Sequence, residues 1–302
     1  MMSNNSEDAI RALNAWLDQH EDEVADGDVD EILQQFLAEY NAVESLTDNE
    51  QAHALFEQAM EQETAPEAEK LLKEAVELDP DFLDAKTELV HIQYDDPIDQ
   101  IHQWLNLLHE EKEKLKADGY FDKENIGDFW LIIETRPYMR TLYTLAKQYL
   151  DMESYTLAID ILEDMIELDT DDHLGARFDL AGCYMMMEDA ESLNQLFDQY
   201  EGSGSVSMIF FQAITAYRIG DYDLARADIL RLNDTIPEFS AFVSGDLKDE
   251  DLDENVQYGI YEPGTIEEIM CNMTPFFLVL ENEALLIFMN QCLDQIDNSP
   301  LN

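Results

Sequence analysis

One phrase recurs along this chain at fixed offsets. It runs Ala68, Leu72, Ala75, Pro80, and returns as Ala158, Leu162, Met165, Thr170, as Leu193, Phe197, Tyr200, Ser205, and as Ala225, Ile229, Leu232, Pro237. Two copies are nearly the same text, AEKLLKEAVELDP and AIDILEDMIELDT. Small or apolar residues at i, i+4 and i+7 lie on one face of a helix, and the residue that closes each copy marks a turn. Such a helix cannot bury its apolar face alone, so a stack of helical hairpins is the expected architecture: an all-α solenoid. The phrase specifies an architecture and no reaction.

Charge narrows the partners. The 302 residues carry 69 acids against 16 bases, a net charge of -53, which disfavours nucleic-acid backbones and anionic membranes. Apolar residues make up 46%, enough to build a core in spite of the acidity. Cys183, Cys271 and Cys292 are far apart and odd in number, so neither a disulfide framework nor a metal pair is expected. The stretch MMSNNSEDAIRALNAW has no basic segment followed by an apolar one, and Glu281 interrupts the longest apolar run, Phe276 to Leu280. The reading is a cytoplasmic protein without a cofactor.

Four segments follow. Residues 1–48 read as an N-terminal helical cap, with one amphipathic helix carrying Ile10, Leu13, Trp16 and Leu17 behind Ser6 as N-cap, and a second around Ile32 to Tyr40. Residues 49–125 hold a first repeat unit and an irregular long helix. Thr47-Asp48-Asn49-Glu50 is a capping box and Pro66 sits at a helix start; the long helix spans Ile98 to about Lys116 and stops at Gly119. Lys112, Lys114 and Lys116 alternate with Glu110, Glu111 and Glu113, which predicts a solvated ion-pair face. Residues 126–240 carry the regular repeats, with Glu201 to Ser207 as the flexible run. Residues 241–302 begin with an acidic loop, Asp246 to Glu254, and end in two capping helices.

The repeats resemble the tetratricopeptide repeat family. Leu145-Ala146 and Tyr149, followed by Ala158, Leu162 and Met165, stand on that family's two-helix pattern, with Thr170 where the family has Pro. The resemblance implies a right-handed superhelix of hairpins that binds peptides or proteins on its concave face. A narrower block, Phe129-Trp130 with Glu134-Thr135-Arg136-Pro137-Tyr138-Met139-Arg140, and the segment Tyr261-Glu262-Pro263-Gly264-Thr265, resemble bacterial tetratricopeptide proteins that are themselves similar to suppressor-of-tumorigenicity-type helical repeat proteins. That group supplies no catalytic residues.

Arg136 and Arg140, four apart, project from neighbouring turns of one helix. Two readings compete for them. They lock Glu134 and neighbouring repeat carboxylates, or their planar forks bind the carboxylates of a peptide. The resemblance implies an inner face built from Arg140, Tyr143, Thr144 and Lys147, then Phe178, Asp179, Met185 and Met186, then Phe211, Gln212 and Arg218. The expected partner-binding set is therefore Arg136, Arg140, Tyr143, Lys147, Phe178, Phe211 and Arg218, suited to an extended peptide with acidic or C-terminal carboxylates. The alternative is an acidic DNA-mimic or chaperone-like protein that binds basic partners through its surface carboxylates. Met185-Met186-Met187 reads as helix core ahead of an adaptable surface. Neither Asp26 to Asp30 nor Asp249 to Asp253 has the glycine and terminal acid of a calcium loop, and no catalytic motif is present, so neither metal binding nor catalysis is expected.

Overall fold

A computed structural model describes residues 4–20, 29–40, 47–200, 204–248 and 252–297. The described residues are helical, with no strand among them. They fall into two compact units, Met1–Leu145 and Ala146–Asn302, whose boundary lies inside one helix.

The first unit contains α1 (Asn4–Gln19), α2 (Val29–Tyr40), α3 (Asp48–Met60), α4 (Ala65–Leu78), α5 (Leu83–Gln93) and α6 (Pro97–Ala117), then a 3-10 turn (Ile133–Thr135) and the start of α7 (Arg136–Asp151). Consecutive helices from α3 to α6 pack on one another, and α1 lies against α3 and α2. The punctuation follows the sequence. Thr47 and Glu50 close a reciprocal capping box, the Thr47 amide donating to Glu50 Oε2 at 2.7 Å. Asp96 caps α6 and Gly119, at φ +84°, follows its end. The repeat phrase forms the core of the first hairpin, where Ala68, Leu72 and Ala75 are buried against Ala52, Ala59 and Phe82. Lys116 pairs with Glu113 at 2.8 Å, an exposed pair that contributes little.

The first helix starts at Asn4, so Ser6 stands inside its first turn rather than ahead of it. The ETRPYMR block is a structural corner. The Thr135 hydroxyl donates to the carbonyls of Phe129 and Ile132, and Tyr138 and Phe129 pack edge-on against Phe121.

The second unit takes up α7 and adds α8 (Tyr155–Leu168), α9 (Ala176–Met187), α10 (Ala190–Tyr200), α11 (Val206–Ile219), α12 (Tyr222–Thr235), α13 (Phe239–Ser244), α14 (Ile266–Met273), a 3-10 segment (Thr274–Glu281) and α15 (Glu283–Asp297). Two second helices bury the repeat phrase: Ala158, Leu162 and Met165 in α8, and Ala225, Ile229 and Leu232 in α12. In α10 burial moves to Leu193 and Leu196, the degenerate copy. Met185 is core while Met187 is half exposed.

The C-terminal helices pack on other helices of the second unit. They lie alongside the hairpins: α14 packs on α11 and α9, the 274–281 segment on α9, and α15 on α12 and α13. Phe276, 1% exposed, fills a notch at Gly182, where a methyl group would overlap its ring. The expected flexible run is also ordered in its described part. Ser205 caps α11, and its hydroxyl donates to the buried Glu268 carboxylate at 2.6 Å. That carboxylate also accepts from the amides of Ser207 (3.1 Å) and Gly264 (2.7 Å). Residues 201–203 and 249–251 lie outside the described residues, and with them parts of that run and of the acidic loop.

Candidate functional site

The arginine pair lies in the first unit, on the first two turns of α7. Its carboxylate partners are not Glu134, which is exposed. Glu7 of α1 reaches both arginines: its Oε1 accepts from Arg136 Nη1 at 3.2 Å and from Arg140 Nη1 at 3.1 Å, and its Oε2 from Arg140 Nη2 at 3.3 Å. Asp84 of α5 grips Arg140 from another side, accepting from Nε at 2.8 Å and from Nη2 at 2.6 Å. Arg136 is held independently by donating its Nε to the Trp130 carbonyl at 2.7 Å, with its guanidinium 5.4 Å from the Trp130 ring centre.

The electrostatics follow from that fork. Burial pushes the Glu7 carboxyl up, but hydrogen bonds and charge from Arg140, then Arg136, outweigh it and hold the group below its ordinary 4.5. For Arg140 burial works against the charge, and Asp84 and Glu7 overcome it, so the guanidinium stays ionised. Tyr143, also in this unit, is half-buried one turn along α7.

The remaining expected residues lie in the second unit, and each is occupied. Lys147, with 44% of its side chain exposed, pairs with buried Asp179 at 2.7 Å. Phe178 is covered by the guanidinium of its neighbour Arg177, 4.5 Å from its ring centre. That same arginine lies 5.1 Å from the Tyr200 ring and pairs with Asp172 at 2.9 Å. Burial pushes the Asp172 carboxyl up to about 6 against the hydrogen bonds and charge of Arg177. Arg218 donates to the Met185 carbonyl at 2.8 Å and pairs with Glu188 at 2.9 Å, which closes the C-terminal end of α9.

Phe211 corrects the sequence reading outright. It is 0% exposed and packs edge-on to Phe276, ring centres 6.1 Å apart, so it belongs to the core of the second unit. The resemblance implied an inner-face position for it, and the C-terminal segment covers that position.

Sequence reasoning missed Glu7 and Asp84. One signal was present for the first: Glu7 stands three residues before Ile10 and ten before Leu17, on the apolar stripe of α1, where a carboxylate must find a partner. Asp84 shares the buried face of α5 with Thr87 in the same way. Among the described residues no group of His, Cys, Asp and Glu is placed to hold a metal ion, and no single helix is long and apolar enough to cross a membrane. Burial pushes all three thiols up, in Cys183 most strongly, which keeps them protonated. The chain matches no family model. It matches no curated protein either.

Proposed function

We propose that the protein is a non-catalytic scaffold, a right-handed superhelix of tetratricopeptide-like hairpins that binds a protein or peptide on its concave face, built from the first helices of those hairpins. The observation that carries the reading is the treatment of those helices by the chain's own ends. In the first unit α7 receives an acidic side chain from α1, and in the second α9 and α11 receive α14 and Phe276. Surfaces that accept helices from elsewhere in the chain have the chemistry to accept one from a partner. In this reading the partner is a protein, neither nucleic acid nor membrane takes part, and no cofactor is needed.

A photo-crosslinking residue at Tyr143, on α7, compared with one at exposed Asp160 on the second helix α8, tests it. A single stoichiometric protein crosslinked from position 143 and not from 160 is the expected result. Crosslinks from 160 alone, or from neither, overturn the proposal.

The acidic alternative keeps one supporting observation. Lys73 sits on Glu69, Lys114 on Asp81, Lys147 on Asp179 and Arg218 on Glu188, so these bases are neutralised within the fold and the excess charge is all negative. Binding of this second kind involves basic proteins and collapses as salt is raised, because exposed charges are screened within about 10 Å at 0.1 M.

A further inference from the structure

The first helix is attached in an unusual way. Among the described side chains of α1, the buried one is an ionised carboxylate, Glu7, 4% exposed. Its apolar residues Ile10, Leu13, Trp16 and Leu17 are only half-buried, with Trp16 edge-on to the buried Phe36 of α2. Helix α4, by contrast, is held by fully buried aliphatic residues, Leu72 and Ala75. Helix α1 is held by hydrogen-bonded charge, and such bonds exchange for equivalent ones at little net cost in free energy.

The receiving fork does not depend on Glu7 for its shape. Asp84 fixes Arg140 through two bonds, and the Trp130 carbonyl and ring fix Arg136. Without Glu7 the site keeps two guanidiniums against one carboxylate, an excess of one positive charge with donors already aimed. A site ordered before binding spends little of its affinity on ordering. The surrounding acidity sets the selectivity: screening limits long-range repulsion to about 8 Å at physiological salt, so an acidic partner is accepted where the fork meets its carboxylate and rejected elsewhere.

We propose that α1 is a displaceable internal ligand, and that the Arg136–Arg140 fork is the acceptor for a carboxylate carried on an amphipathic helix of a partner protein. The occupant is specified by what sits there now: a helix with an acid three residues ahead of an apolar stripe, in the manner of Glu7, Ile10, Leu13 and Leu17. The inference rests on the scaffold reading and adds its regulation. The chain holds its own site closed until a partner helix outcompetes α1.

The probe is a fluorescent peptide with the sequence of residues 4–20, added in trans to the full chain. Against wild type, where the tethered helix competes, it binds weakly. Against the full-length Glu7→Gln chain, whose own latch has lost its charge, binding tightens by about tenfold. A peptide with Gln in place of the acid binds neither. Equal binding to both chains, or equal binding of the acidic and neutral peptides, overturns the proposal. A second measurement on wild type does not depend on the variant: amide exchange is faster in α1 than in α7. If α1 and α7 exchange together, the latch is not a separate element. The two proposals fail separately. A partner crosslinked at Tyr143 with α1 still protected in E7Q removes the latch alone, and α1 released with no partner at Tyr143 removes the scaffold reading.

Discussion

Both units receive a terminal segment of the chain, and they hold it by opposite means. In the first, α1 is fastened by one buried carboxylate between two arginines, with its apolar residues half in water. In the second, α14 and the 3-10 segment bury Ile266, Ile269, Met273 and Phe276 completely, and Glu268 meets the start of α11 with three hydrogen bonds, two to its carboxylate and one to its carbonyl. Apolar burial has no substitute in water, whereas a charge-assisted hydrogen bond does. The comparison separates a segment that can leave from one that is part of the core.

The largest expected effect tests the second unit. Phe276→Ala empties a buried aromatic site and should lower the unfolding free energy of the full chain by about 3–5 kcal/mol in a urea titration. The matching change from the other side, Gly182→Ala, drives a methyl group into that ring and should cost about 1–3 kcal/mol. If Glu7→Gln costs as much as Phe276→Ala in the same titration, the contrast between the two segments is gone.

Buried carboxylates sharpen the same comparison through pH. Asp228 on α12 is buried, its Oδ2 has no hydrogen-bond partner, and burial pushes its carboxyl up to about 6 against the nearby Arg231. A raised value means that the folded state binds the proton more readily, so stability is lost as pH rises from about 4 through about 6. Asp228→Asn should therefore stabilise the chain at pH 7 by up to about 3 kcal/mol, with the gain fading as pH falls toward 4, read by thermal melts across that range. Glu7 has the opposite sign. Its carboxyl is held below 4.5, so its contribution is complete above 4.5 and is lost as pH falls through the lowered value. Tryptophan emission from Trp16, which stacks on His20 and meets Phe36 edge-on, should report release of α1 on that acid side. A release midpoint above pH 5 would contradict the assignment.

Local order was legible in the sequence, and long-range occupancy was not. The Ala68-Leu72-Ala75 phrase, the Thr47–Glu50 box and the Gly119 stop depend on contacts within a few turns, and each reads directly from residue spacing. The arginine pair was visible because bases are scarce. Its partner was not, since Glu7 lies 129 residues from Arg136 and no periodicity links them. Phe211 was misjudged for a related reason. The resemblance implied an open inner face, and only the chain's return at residues 266–281 closes it. One signal for that return stood in the sequence: Gly182 inside a helix, where glycine is costly unless another group approaches closely. The Ser205-Val206-Ser207 stretch looked flexible by composition, but Glu268 orders it from 61 positions away.

Amide exchange resolved by segment, on the full chain as wild type and as Glu7→Gln, separates a displaceable α1 from a segment built into the core. Residues 4–19 should exchange about ten to a hundred times faster in the variant, the loss of roughly 1.4–2.8 kcal/mol of local protection, while residues 266–281 remain unchanged. Unchanged protection of residues 4–19, or a loss shared equally by both segments, would contradict that distinction.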